Sequence, residues 1–509
     1  MDRTKARGEA SATLSGDGRA AITHRDGGAP HPQPGRSSYR RYHIETRVAP
    51  DIEPWPSRFR VKVGKAGLAK LLLKELIQYR GDLDVVTSRP CIYGVFSGPV
   101  GGFAPREEKC VGCLRCTTQY PEFVEVRPNP ERQRLGDAYF ASSYVDAVAY
   151  EAATGRVPVK GAGYRGRFGG QGWDGMWTDM SEIVRPTRDG IHGREFISTV
   201  VDIGSRPPFL SLDEAGQPWG ALPQTFAIPL PALFDVPPAA VSSPTLRQIL
   251  SSAAAAIESL AILPLAGLLA DGLAGAHLVP LVAGSEIEKL KALPFVPRMI
   301  AMDGWDARLF EVIGRLFPET VICLRVPFVG GDTLAGHAEA GVRVFHLTAD
   351  YHGRATTEVV TTKGATGAAF VLDLIRQAHL AFVKRGMRDE VTLLGSGGII
   401  AAEHVPKAII AGLDAVVLDT PLLVALQARF DGNFRDRQAR GCRLPASLTA
   451  AWGTQRLMNL MAAWRDQLLE VMGAMGLREV RRLRGEMGRA MFQKDLEREA
   501  FAGIEGYSP

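Results

Sequence analysis

Three of the chain's six cysteines fall within seven residues, in Cys110-Val-Gly-Cys113-Leu-Arg-Cys116. The C-x2-C-x2-C spacing puts three thiolates on one turn, matching three corners of an iron–sulfur cube. A bacterial ferredoxin motif would continue x3-C-P. Here Thr117 to Pro121 keeps the proline, and Tyr120 stands at the cysteine position. That missing ligand normally serves a second cluster, so its loss fits a one-cluster site. Cys91, nineteen residues upstream in Pro90-Cys91-Ile92-Tyr93-Gly94, is the candidate for the fourth corner. With Cys91 the expectation is a 4Fe–4S cluster; with three ligands alone it is a 3Fe–4S cluster. Structural zinc also takes four cysteines, but its motifs pair two C-x2-C knuckles. Three evenly spaced cysteines before a proline favour iron–sulfur. Cys323 falls in an expected strand and reads as a small buried apolar residue.

A second constellation lies downstream. An apolar run, Val391-Thr392-Leu393-Leu394, leads into Gly395-Ser396-Gly397-Gly398-Ile399, and a helix is expected from Ala402. Glycines there let backbone N–H groups approach a phosphate, and the helix aims its positive end at the same place. Asp419-Thr420-Pro421 closes the next apolar run near the same pocket. Asp350-Tyr351-His352-Gly353-Arg354 offers two proton-transfer groups, Asp350 and His352, and a cation, Arg354, able to hold a carboxylate through both nitrogens. An Asp–Arg pair that merely fixes a loop is the equal alternative. Arg325, in Cys323-Leu-Arg325, is a fixed cation of the kind that stabilises a reduced flavin ring. Gly161-Ala-Gly163-Tyr-Arg-Gly166 matches G-x-G-x-x-G, but Arg167 to Gly172 cannot open the helix a dinucleotide fold requires. A built-in NAD site is therefore not expected.

These groups need a scaffold. Eight apolar runs alternate with helical patterns: Phe226–Leu233, Leu260–Leu265, His277–Val282, Arg298–Met302, Thr320–Val326, Val342–Thr348, Glu390–Leu394 and Ala415–Leu418. Helices are expected at 244–258, 285–292, 306–316, 332–340, 368–386 and 402–410, with Ser243 capping the first and Pro244 opening it. Eight strands alternating with helices predict an α/β fold, a (β/α)8 TIM barrel. Such barrels bear their sites at the strands' C-terminal ends, often with a phosphate after strands seven and eight. A small iron–sulfur, ferredoxin-like segment precedes the barrel. Residues 1–48 read as a disordered tail, 49–150 as the iron–sulfur segment with a helix over 67–79, and 151–224 as an irregular cover. The barrel spans 225–430. Residues 431–509 form a helical extension, with one amphipathic helix over 454–476 and a solvated one over 478–498.

The 509 residues carry a net charge of +5, of which residues 1–48 hold +4. A nearly neutral body lacks the basic stripe of a nucleic-acid binder. No run approaches the ~18 apolar residues of a membrane span. The polar start carries no secretory signal, so the expected place is the cytoplasm, where thiols stay reduced.

The iron–sulfur segment, the Gly395-Ser396-Gly397-Gly398 turn and the run Trp452-Gly453-Thr454-Gln455-Arg456 together resemble the glutamate synthase large-subunit flavin domain. More closely, the chain is similar to the ferredoxin-containing, archaeal-type glutamate synthase-related proteins. Met180-Ser181-Glu182 through Gly193 also looks like a stretch of that group, and the resemblance covers roughly residues 85–500. It implies an FMN-binding barrel that reduces an imine, made from 2-oxoglutarate and ammonia, to L-glutamate. Electrons would come through the cluster from a ferredoxin or similar donor. Gly395, Ser396, Gly397, Gly398, Arg325 and Asp419 would hold FMN, and Asp350, His352 and Arg354 the substrate. No glutamine amidotransferase precedes the barrel, so ammonia would come from solution or a separate subunit. Three segments depart from the family. Phe234-Asp235-Val236-Pro237-Pro238 replaces Met-Ser-Phe-Gly, Ala349 to Arg354 replaces His-Asp-Gly-Gly, and Cys442 alone remains of a cysteine triplet. Another 2-oxo acid or amine as substrate, or a non-catalytic electron-transfer role, are the alternatives.

Overall fold

The computed structural model describes residues 42–82, 91–97, 103–137, 139–158, 172–178, 197–206, 212–218, 223–356, 368–432 and 434–506. Eight parallel strands close into a barrel in which every sequence neighbour is also a spatial neighbour. They are β1 (Ala232–Phe234), β2 (Ala261–Pro264), β3 (Leu278–Val282), β4 (Met299–Asp303), β5 (Val321–Pro327), β6 (Val344–Thr348), β7 (Thr392–Ser396) and β8 (Ala415–Leu418). β8 pairs back onto β1 through Val416, Val417 and Leu418. Helices cover the outside, so most strand residues are buried on both faces and read as short apolar runs. The (β/α)8 expectation holds.

Three local expectations do not. The run 226–233 is two strands. Thr225–Ile228 pairs antiparallel with Val201–Gly204 outside the barrel, and the barrel begins only at Ala232. Pro229 and Pro231 lie between them and remove the ladder donors that one continuous strand would need. Residues 395–396 belong to β7, where Gly395 and Ser396 pair with Leu347 and Thr348. A Cβ on Gly395 would stand 2.6 Å from Leu413, so the strand itself requires the glycine. The stretch 478–498 holds two short 3-10 turns and a strand, Ala490–Phe492, paired with Met176–Thr178, before the helix Gln493–Phe501.

The helix Ala450–Ala474 packs on helices Pro244–Ala256 and Ser142–Thr154. A Cβ on Gly453 would lie 2.4 Å from Ile249, so glycine permits that close approach. Arg456, fully buried, donates to the Ala49 carbonyl and to Asp51, both at 2.9 Å, and to the Ala425 carbonyl at 2.5 Å. Asn459 grips Arg47 from the same helix. Residues 43–53 are thereby strapped along the helix, and Ile44 is buried. The rest of the expected disordered tail, residues 1–41, lies outside the described residues, as do the Gly161–Gly166 run and Met180–Gly193. No helix among the described residues is long and apolar enough to cross a membrane.

Before the barrel, Phe59–Val63 pairs antiparallel with Val124–Pro128, flanked by the helix Lys65–Gln78. The cysteines sit between these two strands in the chain.

Candidate functional site: the barrel mouth and the cysteine cavity

β7 is followed by Gly397 and Gly398, at φ +97° and +72°. A Cβ on Gly397 would meet the Asp350 and Ala349 carbonyls at 2.5 and 2.7 Å. The turn therefore packs against the loop after β6. The amides of Gly397, Gly398 and Ile399 are buried and donate to no group among the described residues. Orphaned buried N–H groups are rare, and a run of them beside the N-terminus of helix His404–Ala411 is an anion cradle. The residues present therefore fit a phosphate.

Over the turn lies a cleft of about 260 Å3 bordered by Tyr139, Trp173, His352, Arg354, His404 and Arg435. Tyr139 Oη and Trp173 Nε1 (2.9 Å) both donate to the Gly398 carbonyl. Trp173 stacks on His404, and Tyr139 on His352. Each of the three predicted substrate groups has partners. Asp350 caps its own loop, accepting from the His352 amide (3.0 Å), the Arg354 amide (2.7 Å) and Arg435 Nε. It does not border the cleft. His352 Nε2 hydrogen-bonds the Asp137 carboxylate at 2.7 Å. Arg354 reaches the Ala368 carbonyl at 3.3 Å and lies over Phe370. Two cations, Arg354 and Arg435, thus border the cleft, whose lining reaches Ile400, the residue after the turn.

Beneath the mouth is a buried charge cluster. Arg437 donates through Nη1 to Asp235 (3.0 Å) and through Nη2 to Ser396 (2.8 Å) and Asp419 (3.1 Å). Its Nε reaches the Ala349 carbonyl at 2.6 Å. One side chain so joins the ends of β1, β7 and β8 to the loop after β6. Burial pushes Asp235 up, but Arg325, His346 and Arg437 overcome it and bring the carboxyl down to about 2. Burial wins at Asp419, whose pKa is raised despite Arg437. Arg325 bonds its register neighbour Asp303 at 3.0 Å, and its Nε lies 3.9 Å from Asp235. His346, on β6 beside it, hydrogen-bonds Ser396 at 2.9 Å, and burial holds its pKa down to about 3. Arg435, Arg437, Tyr139 and Trp173 escaped the sequence reading. The cation pair in Phe434-Arg435-Asp436-Arg437, soon after β8, was its one available signal.

The second site gathers all four predicted cysteines. Cys91, Cys110, Cys113 and Cys116 line one small cavity, walled by Val61, Val95, Phe96 and Val126. Glu107 fixes the approach by accepting from the Val61 amide (2.7 Å) and Ser57 Oγ (3.2 Å). Gly112 and Leu114 both take positive φ, +62° and +61°, turning the chain around the cavity. For leucine that conformation costs about 1–2 kcal/mol. Burial first, then the other three cysteines, raise the Cys116 thiol pKa. Among the described residues, no three His, Cys, Asp or Glu side chains are gathered so as to hold a metal ion. Tetrahedral zinc needs every sulfur ~2.3 Å from one point. Four cysteines lining one cavity are the ligand types that an iron–sulfur cluster or a structural zinc takes. Cys323 and Cys442 are buried elsewhere, with burial raising both pKa values to about 12.

Residues 349–478, from the β6 loop to the long helix, match a family model described as the conserved region in glutamate synthase. The archaeal-type glutamate synthase (NADPH) of Dehalococcoides mccartyi is 26% identical over 445 residues, covering 75% of this chain and 86% of that protein. The archaeal glutamate synthase (NADPH) of Methanocaldococcus jannaschii is 34% identical over 155 residues, covering 26% of this chain and 30% of its own. A solved mandelate oxidase variant superposes with a TM-score of 0.35 at 14% identity, over 60% of this chain and 97% of its own, too slight a likeness to carry an argument.

Proposed function

We propose, from the premise that the chain is a glutamate synthase-related protein, that it is an iron–sulfur flavoprotein oxidoreductase acting in reductive amination. The substrates would be 2-oxoglutarate and ammonia, joined as an imine and reduced to L-glutamate. One observation carries the reading: the orphaned amides of Gly397, Gly398 and Ile399 lie within the matched region, beside a helix N-terminus. They would hold the FMN phosphate, with Ser396 and Asp419 beneath and Arg435 adding positive charge. Bound there, FMN would supply hydride chemistry and convert single electrons into pairs. Cys91, Cys110, Cys113 and Cys116, in a ferredoxin-like segment, would hold the cluster that receives those electrons.

The protein's own groups have definable tasks. Arg354 is placed to hold a substrate carboxylate. His352, oriented by Asp137, is placed to hold or pass a proton at Nδ1. Asp350 positions both by capping their amides. Tyr139 and Trp173 shield the turn from water. A second reading, the same cofactors acting on another 2-oxo acid or amine, is favoured by the engagement of Asp350 in its own loop and by Arg437 at the mouth.

The test is anaerobic purification with flavin, iron and sulfide counted. Assay with 2-oxoglutarate, ammonia and reduced viologen follows. Stoichiometric FMN and iron with glutamate formed is the expected result. Flavin and iron without glutamate moves the case to the second reading. Zinc without flavin ends both.

A further inference from the structure

We propose that the rim of the cysteine cavity is the docking face for a small acidic one-electron carrier protein; this rests on the reading that the four cysteines hold an iron–sulfur cluster. The rim is unusual for a small segment. Tyr93 and Leu114 line the cavity yet are 47% and 49% exposed, and neighbouring Ile92 is 68% exposed. Cys113 is itself exposed, whereas Cys110 is buried. Large apolar side chains grouped at an opening mark a contact surface rather than a core.

The charges say what fits. Arg106, Lys109 and Arg115 make no ion pair among the described residues. Glu107, which would offset them, turns inward to Val61 and Ser57, leaving Glu108. Lys65, Lys70 and Lys74, on the helix that follows Val61's strand, are likewise unpaired among the described residues. An apolar patch in a positive field suits a brief encounter with a negative partner: small interface, charge-steered approach, easy release. In each encounter one electron leaves the carrier's reduced centre and enters this chain's cluster, with no bond made or broken.

The experiment uses the full-length anaerobic protein, mixed in a stopped-flow instrument with a reduced two-cluster bacterial ferredoxin or with dithionite. With ferredoxin, wild-type reduction should slow as salt rises. The Lys109→Glu/Arg115→Glu protein should react about tenfold more slowly at low salt. Its reduction by dithionite should equal wild type. Leu114→Asn, which tolerates positive φ, should also slow the ferredoxin reaction without loss of thermal stability. Variants as fast as wild type with ferredoxin overturn the docking face alone. A wild-type protein with no absorbance bleached by dithionite overturns the cluster reading, and this proposal with it.

Discussion

Arg437 and Asp235 meet at 3.0 Å beneath the barrel mouth, joining a loop that follows the last barrel strand to the end of the first strand. The contact lies between residues 202 positions apart, with Asp235 fully buried and Arg437 partly so. Removing one partner of such a pair strands the other's charge. Arg437→Met should cost about 3–5 kcal/mol in denaturant unfolding. Asp235→Asn should cost more than Asp419→Asn, because burial already disfavours the ionised form of Asp419. Equal losses at the two aspartates would contradict that assignment.

Acid should weaken the fold in a defined window. His379 is held down to about 4 by burial and by Arg388, and His346 to about 3 by burial. Both bind protons more readily when unfolded, so each adds stability above the ordinary histidine value of 6.5, lost as pH falls through 4 and then 3. Asp235 adds stability above 3.8, lost on the way to about 2. Asp419 works in reverse: its contribution is present below 3.8 and disappears as pH rises through its raised value. Melting temperature against pH should therefore drop between 6.5 and 4, and His379→Gln should flatten that drop. A level wild-type profile there is the contrary result.

Gly397→Ala and Gly386→Ala make a controlled pair. Both positions have positive φ, but a Cβ at Gly386 meets nothing within 4 Å, whereas one at Gly397 strikes backbone carbonyls. Gly386→Ala should cost ~1 kcal/mol and Gly397→Ala several times more in thermal unfolding. The clash also means that Gly397 variants report on packing before they report on any phosphate. Arg435→Gln, which keeps an N–H donor for Asp350, is the better probe, expected to lower retained flavin.

Cys91→Ala should reduce iron and sulfide per chain, while Cys442→Ala should leave both at the wild-type count. Unchanged iron in Cys91→Ala would remove it as a ligand.

Arg456→Leu should cost about 1–3 kcal/mol and speed hydrogen exchange in residues 46–53, because the buried Ala49 and Ala425 carbonyls and Asp51 lose their shared donor. Protection there equal to wild type would show that the strap is held by other contacts.

The barrel was legible because its strands are brief apolar runs separated by helical patterns, three of the helices capped by Ser243, Asp306 and Asp419. Its one misread strand, 226–233, is apolar throughout, and only Pro229 and Pro231 betray the break. The cysteine quartet was legible from spacing, including Cys91. Asp350, His352 and Arg354 were found as residues, but Asp350's engagement was not foreseen. An aspartate that caps the amides two and four residues on looks, in sequence, like one free for chemistry. Arg437, Tyr139 and Trp173 were missed because their partners lie 202, 259 and 225 positions away, beyond any local pattern.

The grip of Arg456 on Asp51 spans 405 positions, whereas Phe59–Val63 finds its partner strand within 69. Ring closures that long are slow, and short ones fast. During synthesis, the cysteine-bearing front can settle well before the back of the molecule exists to dock against it. Folding of the two halves is therefore separable in time, with the cysteine-bearing half first and the barrel last.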